Sequence, residues 1–215
     1  MAERNLELSP RKVATRNKLE VELFGLEDIE SHFNENIASI EQKFDVASGL
    51  KSEGKIKDAE DIWRSQIVFI DSAFDFYLHE IIKLGILTIY HEDWAVRTEK
   101  YKNLSFSMTD IERALANTED DTWLKDWVNE KYTSETFMRY GAFRDVCNLL
   151  GVCIKSVADK AFYQKDSTEK TMDKMKRRIG ELFIRRNRIA HQMDRLHETA
   201  ERQNITEQEV KDFIT

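Results

Sequence analysis

The near absence of proline is the feature of this sequence that most constrains its fold. The only proline among the 215 residues is Pro10, so no later residue need interrupt the hydrogen bonding of a helix. The chain also has only seven glycines, too few to supply the turns of a protein with many short strands. The sequence therefore predicts an all-α protein, and its length allows a sizeable core.

Apolar residues at helical spacing predict the order of the helices. One helix is predicted over residues 18–50 and a second over 56–90, and the second is apolar on several sides, as is typical of the central helix of a bundle. Ser107 or Thr109 is the predicted cap of a short helix. The remaining predicted helices cover 107–117, 122–132, 135–150 (ended by Gly151) and 167–197.

The two ends of the chain differ from its middle. Residues 1–16 are polar and aperiodic and are predicted to be a flexible N-terminus, with 17–215 forming a single helical domain. The last helix opens with a capping box made by Thr206 and Glu209. It reaches Thr215 after about two turns, so we expect a truncated helix or half of an oligomer interface.

Charge and cysteine content indicate the compartment. The net charge of −7 argues against unspecific coating of nucleic acid by the whole surface. The most apolar stretch, residues 67–90, carries several ionisable side chains and is predicted to be a core helix that does not span a membrane. Cys147 and Cys153 lie in apolar sequence and are predicted to be buried free thiols. With no leader sequence evident at Met1, we expect a soluble, cytoplasmic protein.

An arginine lies inside the apolar stripe of the long C-terminal helix. A guanidinium group in such a place is costly unless it is paired or faces a polar cleft. Arg186 is therefore predicted to pair with a carboxylate of the central helix, Asp75 as the first candidate and Asp71 as the second. The stripe around it is predicted to be Ile179, Leu182, Phe183, Ala190 and Met193.

A polar and basic surface surrounds this arginine. His191 lies about 140° round the helix from Arg186, and Asn187 lies between them, able to hydrogen-bond the imidazole. In an acidic chain this is the one dense basic patch, and it predicts a phosphate-rich ligand. The arginines expected to bind that ligand are Arg178, Arg185, Arg188 and Arg195.

The run Arg186-Asn187-Arg188-Ile189-Ala190-His191 resembles the signature of the HEPN superfamily. Two other segments are similar more loosely to its RiboL-PSP branch, IDSAFDFYLHEI (70–81) and YGAFRDVCNLLGV (140–152). The resemblance covers most of residues 55–215 in layout. It implies an up-and-down helical bundle of HEPN type with long central and C-terminal helices.

The same resemblance implies an activity. HEPN ribonucleases are homodimers that bring two motifs into one composite cleft and cleave RNA without a metal or cofactor. The ribose 2′-hydroxyl attacks the adjacent phosphate and leaves a 2′,3′-cyclic phosphate. By this resemblance we expect a toxin or phage-defence effector, with an antitoxin or another regulatory partner.

The residue types suit this chemistry. A histidine can take or give a proton at neutral pH, and an arginine can hold phosphate oxygens bidentately as charge builds on them. We therefore predict His191 as the acid/base, Arg186 as the phosphate clamp and Asn187 as their support. Asp75 is the predicted supporting carboxylate.

Two other interpretations remain open at this point. In the first, Arg186 is a structural arginine and His191 is a surface histidine. The chain would then be a non-catalytic module that binds RNA, a nucleotide or a protein partner through the same basic cleft. Asp71, Asp75 and His79 share one helical face and would suit a divalent metal. Their apolar setting and the lack of a second ligand cluster favour core hydrogen bonding instead.

Overall fold

The computed structural model describes residues 23–116, 118, 120–132, 135–165 and 167–214, and that part of the chain is all-α. An isolated bridge between Arg195 and Arg202 is the one β-type pairing within these ranges. The segment predicted to be a flexible N-terminus, 1–16, lies outside the described residues. The helices are α1 (Leu26–Glu41), α2 (Lys43–Ser52), α3 (Ile56–Tyr90), α4 (Glu99–Lys102), α5 (Met108–Ala116), α6 (Thr122–Tyr132), α7 (Tyr140–Leu150), α8 (Ile154–Phe162), α9 (Thr171–Gln192) and α10 (Glu207–Ile214).

Helix α3 is the centre of the molecule, and its predicted bounds are confirmed. Its first half, including Ile67 and Ile70, packs in a core shared with α1, α2 and α10. Its second half, including Ile82 and Ile86, packs in a core shared with α6, α7 and α8. Apolar residues on several sides of α3 are buried because helices cover it on several sides.

Helix α9 runs antiparallel to α3 and contributes to both cores. Met175 and Ile179, near its start, pack in the core of the second half of α3. Leu182, further along, packs in the core of the first half. The part of α9 around Arg186 is thereby placed beside the middle of α3, where Asp71 and Asp75 lie.

Local sequence placed some helix ends correctly. Gly151 ends α7 in the left-handed conformation, with φ 70°. Ser107 Oγ accepts a hydrogen bond from the backbone N–H of Asp110 at 3.2 Å, and Thr206 Oγ1 accepts one from Glu209 N–H at 3.2 Å. Both contacts satisfy a donor in the first turn of a helix.

Other boundaries differ from the prediction. The helix predicted over 18–50 is two helices joined at Gln42, with residues 18–22 outside the described ranges. Helix α7 begins at Tyr140 and not at 135, because Phe137 and Met138 are drawn into the core. Cys147 is buried as predicted, but Cys153 is exposed because it lies in the turn before α8. Helices α4 and α8 were not predicted.

A close contact joins α3 to α7. A Cβ atom added to Gly85 would lie 2.5 Å from Leu150 Cδ2, so the absence of a side chain at residue 85 is what lets the two helices approach. None of the helices in the described ranges combines the length and apolar content that a membrane-spanning segment needs.

Candidate functional site

Arg186 forms an ion pair inside the bundle. Its Nε lies 2.9 Å from Oδ2 of Asp71, whose side chain is only 3 % exposed. The prediction that Asp75 is the first partner is wrong, and the second candidate, Asp71, is the partner. The reason is that Asp75 is already engaged, since its Oδ1 accepts a hydrogen bond from the backbone N–H of Phe137 at 2.8 Å.

The Asp71 carboxyl group is poorly solvated. Its Oδ1 is buried and has no hydrogen-bond partner among the described residues. The approach of Arg186 Nε is close enough for an ion pair but is not aligned as a hydrogen bond. Burial raises the pKa of Asp71 to about 6, with Asp75 adding to the rise and Arg186 opposing it.

Arg186 also reaches towards the outer surface of α9. Its Nη1 donates a hydrogen bond to Oδ1 of Asn187 at 2.9 Å, and about a third of its side chain is exposed. Asn187 therefore orients the arginine. The expected hydrogen bond from Asn187 to His191 is not formed in the described structure, since the Asn187 oxygen is turned to Arg186.

His191 is exposed, on the outer face of α9. It lies in a shallow pocket of about 400 Å³ that Asn187, Arg188, Arg195 and Ile184 also line. Arg186 does not line this pocket. Within one chain, the predicted acid/base and the predicted phosphate clamp thus lie on different sides of α9, with Asn187 between them.

The four arginines predicted to bind RNA fall into two groups. Arg188 and Arg195 line the His191 pocket. Arg188 also donates to Gln203 Oε1, and Arg195 donates to the backbone oxygen of Ala200 at 2.5 Å. These two are the predicted RNA-binding arginines that lie beside His191.

Arg178 and Arg185 are held by the protein itself. Arg178 donates to the backbone oxygen of Asp212 and lies 4.7 Å from the ring centroid of Phe213, so it secures α10. The side chain of Arg185 is only 11 % exposed and pairs with Asp194 at 3.0 Å. The structure does not place these two arginines in the His191 pocket.

The inward stripe of α9 ends earlier than predicted. Met175, Ile179 and Leu182 are buried. Ala190 is exposed and Met193 is 64 % exposed, which corrects the prediction that both are buried. Ile189 packs against the core in their place, and α9 ends at Gln192 because Met193 and Asp194 adopt positive φ values.

A buried charge cluster was missed by the sequence analysis. Asp194 is fully buried, and its Oδ2 lies 2.9 Å from Nε of Arg64 and 3.0 Å from Nη2 of Arg185. Arg64 also donates to the backbone oxygen of Gln203 at 2.8 Å. The cluster fixes the chain after α9 against α3. No local signal reveals it, because Arg64 and Asp194 are 130 residues apart.

The three residues considered for a metal have separate partners. Asp71 faces Arg186, Asp75 accepts from Phe137 N–H, and the His79 ring meets the Phe137 ring edge-on at 4.7 Å. In the ranges that the structure describes, no group of three or more His, Cys, Asp or Glu side chains is placed to hold a metal ion.

Comparisons with protein-family models, with curated proteins and with solved structures found nothing that matches this chain. The resemblance to the HEPN superfamily therefore rests on the residues quoted for it, and any functional conclusion rests on the geometry of Arg186, Asn187 and His191.

Proposed function

We propose that this protein is a metal-independent endoribonuclease of HEPN type that works in the cytoplasm without a cofactor. It cleaves RNA by attack of a ribose 2′-hydroxyl on the adjacent phosphate and leaves a 2′,3′-cyclic phosphate end. A toxin or phage-defence role, restrained by an antitoxin or another regulatory partner, belongs to the same proposal through the family resemblance.

The supporting observation is the way Arg186 is held. Its Nε faces the buried Asp71 carboxylate at 2.9 Å, and its Nη1 donates to Asn187 at 2.9 Å. Asn187 in turn lines the pocket of the exposed His191. A charged guanidinium fixed in direction and partly open to solvent is what a phosphate clamp requires, because little reorganisation is then needed as charge develops.

The reaction needs two proton transfers. A base removes the 2′-hydroxyl proton as the new O–P bond forms, and an acid donates a proton to the 5′-oxygen as its bond to phosphorus breaks. One chain supplies one motif histidine, His191. We infer that a homodimer provides both roles, one His191 acting as base and the other as acid.

Arg186 lies towards α3 and His191 on the outer face of α9. In a cleft shared by two chains, the exposed third of the Arg186 side chain is the part that would reach the phosphate. Ile184, which lines the His191 pocket, is 58 % exposed. A single exposed isoleucine is common on a protein surface, and burial of this one by a partner chain is part of the proposal.

The alternative is a non-catalytic module that binds RNA, a nucleotide or a protein partner. One observation favours it: Arg186 is paired with Asp71 and does not line the His191 pocket, as expected of a structural arginine. Against it, His191 is exposed in a pocket with two arginines and is not buried in its own bundle.

The decisive experiment is RNA cleavage in EDTA by wild type, His191→Ala and Arg186→Ala proteins of equal helicity. We expect wild type to produce 2′,3′-cyclic phosphate ends and both variants to lose at least about a hundredfold in rate. His91→Ala is the matched control, since His91 lies at the end of α3, about 30 Å along the helix from Asp71.

Three results would count against the enzyme. Cleavage that EDTA abolishes and Mg²⁺ restores would contradict a metal-independent mechanism. An equal loss of cleavage rate in the His91→Ala control would show that the loss is not specific to the site of Arg186 and His191. RNA bound by wild type but cut by no protein would favour the binding module.

A further inference from the structure

An arginine outside the motif lies next to it in the fold. Arg139 is an exposed residue in the segment that leads into α7, and its guanidinium carbon lies 5.1 Å from the ring centroid of Phe183 on α9. Arg139 has no carboxylate partner among the described residues. Arg64, Arg177, Arg185 and Arg186 are by contrast all paired with carboxylates. An unpaired arginine in an acidic protein is free to bind an anion.

The segment that carries Arg139 is fixed in place. Phe137 and Met138 are 6 % and 1 % exposed, so both are anchored in the core. The backbone N–H of Phe137 donates to Asp75 at 2.8 Å. The Phe137 ring also meets His79 edge-on. Two of the three residues considered for a metal thus serve to hold this segment against α3, and with it the position of Arg139.

Phe183 joins Arg139 to the motif. Phe183, Asn187 and His191 follow one another at intervals of four residues, so they form one ridge on α9 that rises about 12 Å along the helix axis. Arg139 lies over the first member of this ridge, and Arg186 donates to the second, Asn187, at 2.9 Å. The third member is the proposed acid/base.

We propose that Arg139 is a second phosphate-binding arginine, which holds the backbone of a single-stranded RNA along the ridge of Phe183, Asn187 and His191. This inference rests on the proposed function, because it names where the RNA lies in the same site. Arg139 would contact a phosphate on the Phe183 side of the one that is cleaved.

The chemistry of the pair suits this role. The guanidinium carbon of Arg139 lies over the Phe183 ring, 5.1 Å from its centroid. This contact limits the motion of the guanidinium, while its N–H groups can still donate to phosphate oxygens. Such a contact acts on binding in the ground state and the transition state alike. It should therefore change KM and leave kcat nearly unchanged.

The test compares Arg139→Ala with Arg144→Ala. Arg144 is also exposed, lies on α7 and has no ion-pair partner among the described residues, so it controls for the loss of one positive charge. In cleavage assays we expect Arg139→Ala to raise KM about tenfold with kcat within about twofold of wild type. Arg144→Ala should change neither parameter appreciably.

Binding is measured separately, in the His191→Ala background, by fluorescence anisotropy of a labelled single-stranded RNA. Adding Arg139→Ala should weaken binding about tenfold and reduce the slope of log K against log salt by about 1. Arg139→Lys should restore part of the affinity but less than arginine, because lysine lacks the planar fork.

The outcomes separate the two proposals. If wild type cleaves RNA and Arg139→Ala behaves like Arg144→Ala, the inference fails while the ribonuclease stands. If wild type binds RNA without cutting it and only Arg139→Ala weakens binding, the enzyme fails while the role of Arg139 in binding is supported. If wild type neither binds nor cuts RNA, both are overturned.

Discussion

At the scale of single residues, the Asp71 carboxyl group stabilises the fold less when it is charged than when it is protonated. The Asp71 residue as a whole is 2 % exposed, and one of its carboxyl oxygens is buried without a hydrogen-bond partner in the described structure. The charged groups that face it are Arg186 from α9 and Asp75 from α3. Burial, helped by Asp75, outweighs the opposing effect of Arg186 and raises the pKa of Asp71 to about 6. The folded protein therefore binds a proton between about pH 4 and 6 that the unfolded chain releases.

This difference predicts a pH dependence of stability. Because the pKa of Asp71 is raised on folding, its contribution to the free energy of unfolding is largest below about pH 4 and falls as pH rises through 6. A shift of about two pKa units corresponds to roughly 3 kcal/mol. In Asp71→Asn this loss should vanish. The free energy of unfolding of the variant, measured in urea, should therefore rise relative to that of wild type between pH 4 and pH 7.

The control for that comparison is Asp173→Asn, which removes an exposed carboxylate of α9. Its stability should follow the pH profile of wild type. If the free energies of unfolding of wild type and Asp71→Asn differed by the same amount from pH 4 to pH 7, this would contradict the raised pKa of Asp71.

At the scale of elements, buried charges secure the segment that follows α9. Asp194 is fully buried, with φ 61°, and pairs with Arg64 of α3 and Arg185 of α9. Both arginines also hydrogen-bond Gln203, so the whole turn from α9 to α10 is held against α3. The His191 pocket is built partly from this turn, since Arg195 and Leu196 line it.

Removing the Asp194 carboxylate should lower the free energy of unfolding strongly. Asp194→Ala leaves two largely buried guanidinium groups without their shared partner, and a broken buried pair of this kind costs about 3–5 kcal/mol. Asp194→Asn should cost less, because asparagine tolerates positive φ and keeps a hydrogen-bonding oxygen. The measurement is the free energy of unfolding in urea.

Asp61→Asn provides the matched control. Asp61 also pairs with Arg64, at 3.2 Å, but its side chain is 51 % exposed, so its loss should cost less than about 1 kcal/mol. Equal effects of Asp61→Asn and Asp194→Ala would show that burial of Asp194 is not what makes its contacts strong.

The elements that were predicted correctly are those that local pattern determines. The bounds of α3 follow from its run of apolar residues, and α6 occupies the predicted 122–132. The end of α9 was misplaced because Met193 and Asp194 adopt positive φ without being glycine, and the buried partners of Asp194 impose this. The start of α7 was misplaced because Phe137 is held by Asp75, which is distant in sequence.

The predictions for the candidate site were likewise correct where local pattern decides and wrong where contacts between distant residues decide. Spacing on the helical wheel correctly predicted that Arg186 faces α3 and that Asn187 lies between it and His191. It did not select Asp71 over Asp75, because both lie on one face and the choice depends on the segment that occupies Asp75. Arg139 was missed for a similar reason, since it reaches Phe183 only through the folded path of residues 135–139.

At the scale of the whole molecule, the proposed chemistry favours two chains over one. In a single chain Arg186 lies towards α3, whereas His191 lies in a pocket on the outer face of α9 that Arg186 does not line. Each chain also supplies one motif histidine for a reaction that uses an acid and a base. The face of α9 that carries Ile184, Asn187 and His191 is therefore the expected dimer interface.

Ile184→Asp tests that interface. Ile184 is 58 % exposed in one chain, so a charge there should be tolerated by the monomer but should be costly if a partner buries it. We expect the dissociation constant of the dimer, measured by sedimentation velocity over a concentration series, to rise at least about tenfold. RNA cleavage should fall in parallel and recover in part at high protein concentration, because association restores the shared cleft.

Leu115→Asp is the control for surface charge. Leu115 is 72 % exposed on α5, an element that does not contribute to the His191 pocket, and this substitution should leave the dissociation constant unchanged. Wild type that sediments as a monomer throughout the micromolar range would remove the basis for a shared cleft. If Ile184→Asp then retained full cleavage, a single chain would have to supply both proton transfers, and the second acid or base would have to be sought among the other residues of the His191 pocket.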